Sequence, residues 1–172
     1  LLSDIGLKFS IQTTNQEECY PTNLKEHEIA EFLAKQKAKF LSENLSKTDL
    51  LITADTIVSF KGELLNKPKN KEQAFSTLSK LSGNTHKVIT GVCIKNHQRE
   101  IYFSEITLVT FKQLTKKEIS FYINNFNPFD KAGAYGIQDW IGKIGIKSIE
   151  GSYSNVVGLP TAEVYQQLKL FI

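Results

Sequence analysis

Leu50 to Phe60 reads Leu-Leu-Ile-Thr-Ala-Asp-Thr-Ile-Val-Ser-Phe, with one carboxylate, Asp55, in its middle. The run is apolar and β-branched enough to predict a buried strand. A carboxylate there is costly unless it is paired, hydrogen-bonded or bound to a cation. Two readings are open. Asp55 is either a structural carboxylate satisfied by backbone N–H groups, or a hard-cation ligand or general base. The strand alone does not choose between them.

The segments around this run predict both helices and strands, hence an α/β fold. Leu1 to Gly6 has the form of a last helical turn closed by glycine, and Phe9 to Thr13 is a short strand candidate. Asn23 with Glu26 forms a capping pattern ahead of a helix whose stripe is Ile29, Ala30, Leu33, Lys37, Phe40 and Leu41. A lysine near the apolar stripe is unusual. Lys61-Gly62 predicts a hairpin turn into Glu63-Leu64-Leu65. Asn70 and Gln73 open a second helix with stripe Ala74, Leu78 and Leu81, stopped at Gly83. Val88 to Ile94 and Ile101 to Phe111 are strands joined around Asn96-His97. Thr115 and Glu118 cap a helix running through Ile123. Gly133 to Gly158 is expected as strands and tight turns, and Thr161 to Ile172 as a final helix. No repeat or linker divides the 172 residues, so one domain spanning 1–172, with or without two lobes, is expected.

Composition narrows the function classes. The formal net charge is only +3, the lysines are scattered, and Arg99 is the single arginine, which disfavours a nucleic-acid surface. No apolar run reaches the roughly 18 residues that would span a bilayer. Cys19 and Cys93 lack C-x-x-C partners, so a reduced, cytoplasmic setting is the simplest reading.

Three further constellations can carry chemistry. Lys67-Pro68 follows the hairpin, where the lysine is either merely solvated or neutralises a phosphate. His86, in Ser82-Gly83-Asn84-Thr85-His86, reads as structural because no second histidine stands at ligand spacing. Asp130 to Gln138 and Gly151 to Pro160 are rich in small residues, which serve either packing or close backbone approach to a ligand. Gln138 offers both a donor and an acceptor, which suits the edge of a base.

In order, Ala54-Asp55-Thr56-Ile57-Val58, Gly62 to Pro68, Leu81 to Gly91, Asp130 to Gln138 and Gly151 to Pro160 resemble the Maf family, over essentially the whole chain. The resemblance implies a Maf/Ham1 (inosine-triphosphatase-like) fold, a bent mixed sheet with two lobes around a central cleft. It implies hydrolysis of a nucleoside triphosphate to monophosphate and pyrophosphate with a divalent cation, Mg²⁺ or Mn²⁺, by a homodimer. Asp55 matches the catalytic aspartate and Glu18 an acidic site residue, the two implied metal ligands. Lys37 and Lys67 match site lysines, and Thr56 and Gln138 match positions tied to substrate choice. The Gly-Ile-Gln form resembles the branch acting on dTTP and UTP. The alternative that the family suggests is a catalytically silent regulator of septum formation. The family pattern also has a strand and a Ser-x-Ser-Pro-Arg-Arg loop ahead of the position matched by Leu1. A site without that loop's arginines is expected to be much less active, with a sheet edge exposed.

Overall fold

The protein is described by a computed structural model, which defines residues 1–13 and 19–171. Among the described residues, six α-helices and a five-stranded sheet make it α/β, as expected. The strands are β1 (Leu51–Phe60), β2 (Glu63–Leu64), β3 (Thr85–Lys95), β4 (Glu100–Phe111) and β5 (Ile146–Glu150), in the order β2-β1-β3-β4-β5. β1 pairs antiparallel with β2 through Ser59–Leu64 and Phe60–Glu63. β4 pairs antiparallel with β5, with an irregularity between Thr110 and Phe111. The helices are α1 (Glu26–Leu41), α2 (Lys71–Leu81), α3 (Lys116–Phe126), α4 (Trp140–Gly145), α5 (Tyr153–Val157) and α6 (Thr161–Leu168).

Local chemistry explains most boundaries. The β1–β2 turn is tight because Lys61 (φ 53°) and Gly62 (φ 83°) both take left-handed backbone, the conformation that matches the twist of a two-residue hairpin. Asn70 caps α2 by accepting from the Gln73 amide at 2.9 Å. Thr115 caps α3, and the Glu118 carboxylate accepts the Thr115 amide at 2.7 Å, closing the expected capping box. α3 runs three residues beyond Ile123 and ends where Asn127 turns left-handed.

Four expectations need correction. Residues 7–13 form no strand: Ile11 is 80% exposed, and no described strand lies beside it to supply ladder bonds. α1 begins at Glu26 rather than just after Asn23, and the Glu28 carboxylate accepts the Lys25 amide at 2.7 Å. Its buried stripe is Ile29, Ala30, Leu33, Ala34 and Ala38, with Phe40 exposed. Finally, 133–158 holds two short helices, α4 and α5, beside β5, where only strands and turns were expected.

The chain divides into two compact units. The first comprises 1–56, 90–105 and 158–172; the second comprises 57–89 and 106–157. In the first, Val92, Ile94, Val164 and Leu168 form a core with Ile52, Ala54, Ile101 and Phe103 packed against it. On the other face of the strands, Ala34 and Ala38 of α1 pack with Cys93 and Leu51. In the second, Leu78, Leu81, Val88, Val109, Phe111, Tyr122 and Ile141 centre a larger core. Ile144, Ile146, Ile149, Val156 and Val157 join it, as their apolar character in the glycine-rich stretch implied.

Candidate active site

The strand period places Thr53 and Asp55 on one face of β1 and Ala54 and Thr56 on the other. The first face meets α1. The Thr53 hydroxyl donates to the Ala34 carbonyl at 2.7 Å, and Lys37 Nζ donates to Asp55 Oδ1 in an ion pair. Asp55 is 8% exposed and Lys37 27% exposed, so the carboxylate is withdrawn from bulk water while its cation keeps an opening to solvent. A charge-assisted contact of this kind answers the desolvation cost that the sequence posed. It also accounts for a lysine so close to the apolar stripe of α1.

What lets α1 lie so close is residue size. Ala30 and Ala34 are fully buried and Ala38 nearly so. Opposite them on β3 stands Gly91. A Cβ there would lie 2.2 Å from both the carbonyl carbon and oxygen of Ala30 and 2.4 Å from the Glu31 amide nitrogen. Gly91 closes the Leu81 to Gly91 motif, whose residues by themselves assign it no role. A glycine inside a strand is the signal that marks such an approach.

On the reverse face the Thr56 and Thr90 hydroxyls share a hydrogen bond of 2.8 Å. A Cβ built on Gly158 would stand 3.7 Å from the Thr56 hydroxyl. Thr56 is therefore beside Asp55 in the chain but points to the other side of the strand. Glu18 lies outside the described residues. Among the described residues no group of three or more His, Cys, Asp or Glu side chains gathers as a metal cage would require.

Lys67 and Gln138 belong to the second unit, and both are exposed. Lys67 acts electrostatically on Asp130, whose carboxyl is held below its ordinary range chiefly by a 2.8 Å hydrogen bond from Lys131. Gln138 rides on a turn fixed from beneath. The buried Tyr122 hydroxyl donates to Asp139 at 2.7 Å and accepts the Gly136 amide at 3.0 Å. Burial first, and then the bond to Asp139, push that phenol's pKa upward. The start of α4 packs closely on this turn: a Cβ on Gly142 would sit 1.8 Å from the Ile137 carbonyl oxygen.

His86 has the structural role expected of it. It is 2% exposed, shares a 2.8 Å hydrogen bond between Nε2 and the Tyr135 hydroxyl, and stacks on Phe111. Burial lowers its pKa from 6.5 to about 4, so it is neutral at physiological pH.

Comparison with known proteins agrees with the motif order. The family model described as Maf-like protein matches residues 1–171. A Flavobacterium johnsoniae protein named dTTP/UTP pyrophosphatase is 46% identical over 169 residues, 98% of this chain and 87% of its own. Proteins of the same name from Phocaeicola vulgatus and Cytophaga hutchinsonii are each 47% identical, over 98% of this chain and over 88% and 77% of their own lengths respectively. With a buried carboxylate–lysine pair at the first motif and similarity running the length of the chain, this protein belongs to the Maf family.

Proposed function

We propose that this protein is a nucleoside-triphosphate pyrophosphatase that hydrolyses dTTP and UTP to the monophosphate and pyrophosphate. The Asp55–Lys37 pair carries the reading, together with the shared name of relatives 46–47% identical over nearly the whole chain. Asp55 takes the role of general base. Its Oδ receives a proton from a water that attacks the α-phosphorus. The bond from that phosphorus to the bridging oxygen breaks, and pyrophosphate departs. Lys37 keeps the carboxylate oriented and contributes positive charge where a triphosphate brings about four negative ones. Lys67 adds a second point cation, and Thr56 and Gln138 bear on which base is accepted.

A divalent cation, Mg²⁺ or Mn²⁺, belongs to this proposal. Asp55 offers such an ion a buried carboxylate; Glu18 is the second ligand that the family resemblance implies, and Mg²⁺ commonly takes only one or two carboxylates and completes its shell with phosphate oxygens and water. When bound, such an ion neutralises phosphate charge and makes a coordinated water more acidic. A cytoplasmic location and a homodimer complete the proposal. No described helix is long and apolar enough to cross a membrane.

The test is pyrophosphate release from dTTP, UTP, CTP and GTP with Mg²⁺, by the full-length protein and by Asp55→Asn. Release from dTTP and UTP that the variant loses is the expected result. Equal turnover by the variant would remove Asp55 from the mechanism, and a preference for GTP would overturn the substrate assignment.

A further inference from the structure

We propose that Gly91 is a positioning residue for the reaction: by carrying no side chain, it sets the spacing between α1 and the sheet at which Lys37 reaches Asp55. This rests on the catalytic reading of that pair. Three separate observations converge on it. A Cβ at 91 would meet the α1 backbone at Ala30 and Glu31, at 2.2 and 2.4 Å, rather than any side chain that could swing away. The α1 residues facing the strands, Ala30, Ala34 and Ala38, are buried and minimal in size. The Thr53 hydroxyl reaches the Ala34 carbonyl itself, so helix backbone and strand side chain are in direct contact.

The spacing follows from these distances. Non-bonded carbon contacts settle near 3.5 Å, so a methyl at 91 requires α1 to retreat by about 1.3 Å from its present 2.2 Å approach. Lys37 lies two turns along the same helix and moves with it. A displacement of that size at a reacting group is enough to cost on the order of a hundredfold in rate. Because the obstacle at 91 is backbone, trimming Ala30 to glycine offers no relief.

The experiment compares Gly91→Ala, Ala34→Val and Thr53→Ala with the parent protein. Lysines are reductively methylated with formaldehyde and cyanoborohydride, and mass spectrometry gives the labelling rate of Lys37 relative to exposed Lys39 on the same helix. The kcat and KM for dTTP are measured in parallel. Gly91→Ala is expected to raise the Lys37/Lys39 ratio about tenfold and to lower kcat on the order of a hundredfold, with KM changed far less. Adding Ala30→Gly should leave both effects in place. Ala34→Val pushes on the same interface with two methyl groups, shifts both readouts in the same direction by less, and carries the test where Gly91→Ala does not fold. Thr53→Ala removes the hydrogen bond and puts no new atom against the Ala34 carbonyl, so it lowers stability while leaving the labelling ratio and kcat near parental values. An unchanged labelling ratio in folded Gly91→Ala or Ala34→Val overturns the inference, as does a kcat loss in Thr53→Ala equal to theirs. Absence of turnover in the parent would count against the proposed function alone, because the labelling ratio still reports the spacing.

Discussion

Lys37→Met tests whether the ion pair is structural as well as catalytic. The substitution keeps the length and apolar stem of the lysine and deletes its charge, leaving Asp55, 8% exposed, beside a thioether. Contacting unit charges at an effective dielectric near 20 attract by about 4 kcal/mol, and loss of one partner of a fully buried pair costs about 3–5 kcal/mol. Lys37 is 27% exposed, so water recovers part of that, and about 2 kcal/mol of destabilisation is expected. Asp55→Asn strands a lysine that can still reach water and should cost about 1 kcal/mol or less. The double variant removes both charges and should lie within about 1 kcal/mol of the parent, giving a coupling near 2 kcal/mol. Urea unfolding followed by far-ultraviolet circular dichroism measures all four corners of the cycle. Turnover should separate from stability: Asp55→Asn loses activity by about 10³-fold, the scale of a lost general base, while folding nearly as well as the parent. A coupling below about 0.5 kcal/mol would refute the account of how the carboxylate is tolerated.

Three further outcomes follow from other parts of the fold. His86, buried and with a pKa depressed from 6.5 to about 4, binds its proton more readily in the unfolded chain. Its Nδ1 has no hydrogen-bond partner among the described residues. Stability is therefore fully present above pH 6.5 and falls as pH drops toward 4, by up to about 3 kcal/mol. The double variant His86→Phe/Tyr135→Phe should flatten that part of the profile in urea titrations, and an unchanged slope would contradict it. Cys93 is fully buried with its thiol pKa pushed up to about 11, mainly by burial, whereas Cys19 is exposed. A thiol reagent should thus label Cys19 alone in the native protein and both after denaturation. Thr115→Ala removes the capping hydroxyl of α3 and should cost about 1 kcal/mol, with Thr115→Ser recovering most of it in thermal melts.

Much of this molecule was legible locally. The left-handed Lys61-Gly62 turn and the caps at Asn70 and Thr115 were readable because each depends on residues within four positions of one another. The cost of Asp55 was readable too, since an anion in a buried strand demands a partner whatever the fold. Its partner was not readable on physical grounds alone: Lys37 stands 18 residues away, and helical periodicity says only that it lies near the stripe. The width of that stripe was misjudged for the same reason. Phe40 fits the period, yet beyond Leu33 the buried positions are Ala34 and Ala38, where the opposing strand offers Gly91 and Cys93 rather than a pocket for a ring. The strand expected at 9–13 has no described neighbour to pair with, and 133–158, expected as strands and tight turns, holds two short helices beside β5. Patterns along the chain fix propensity, turn chemistry and which groups must be neutralised. Only packing fixes how closely two elements approach, and here that distance brings the cation to the carboxylate.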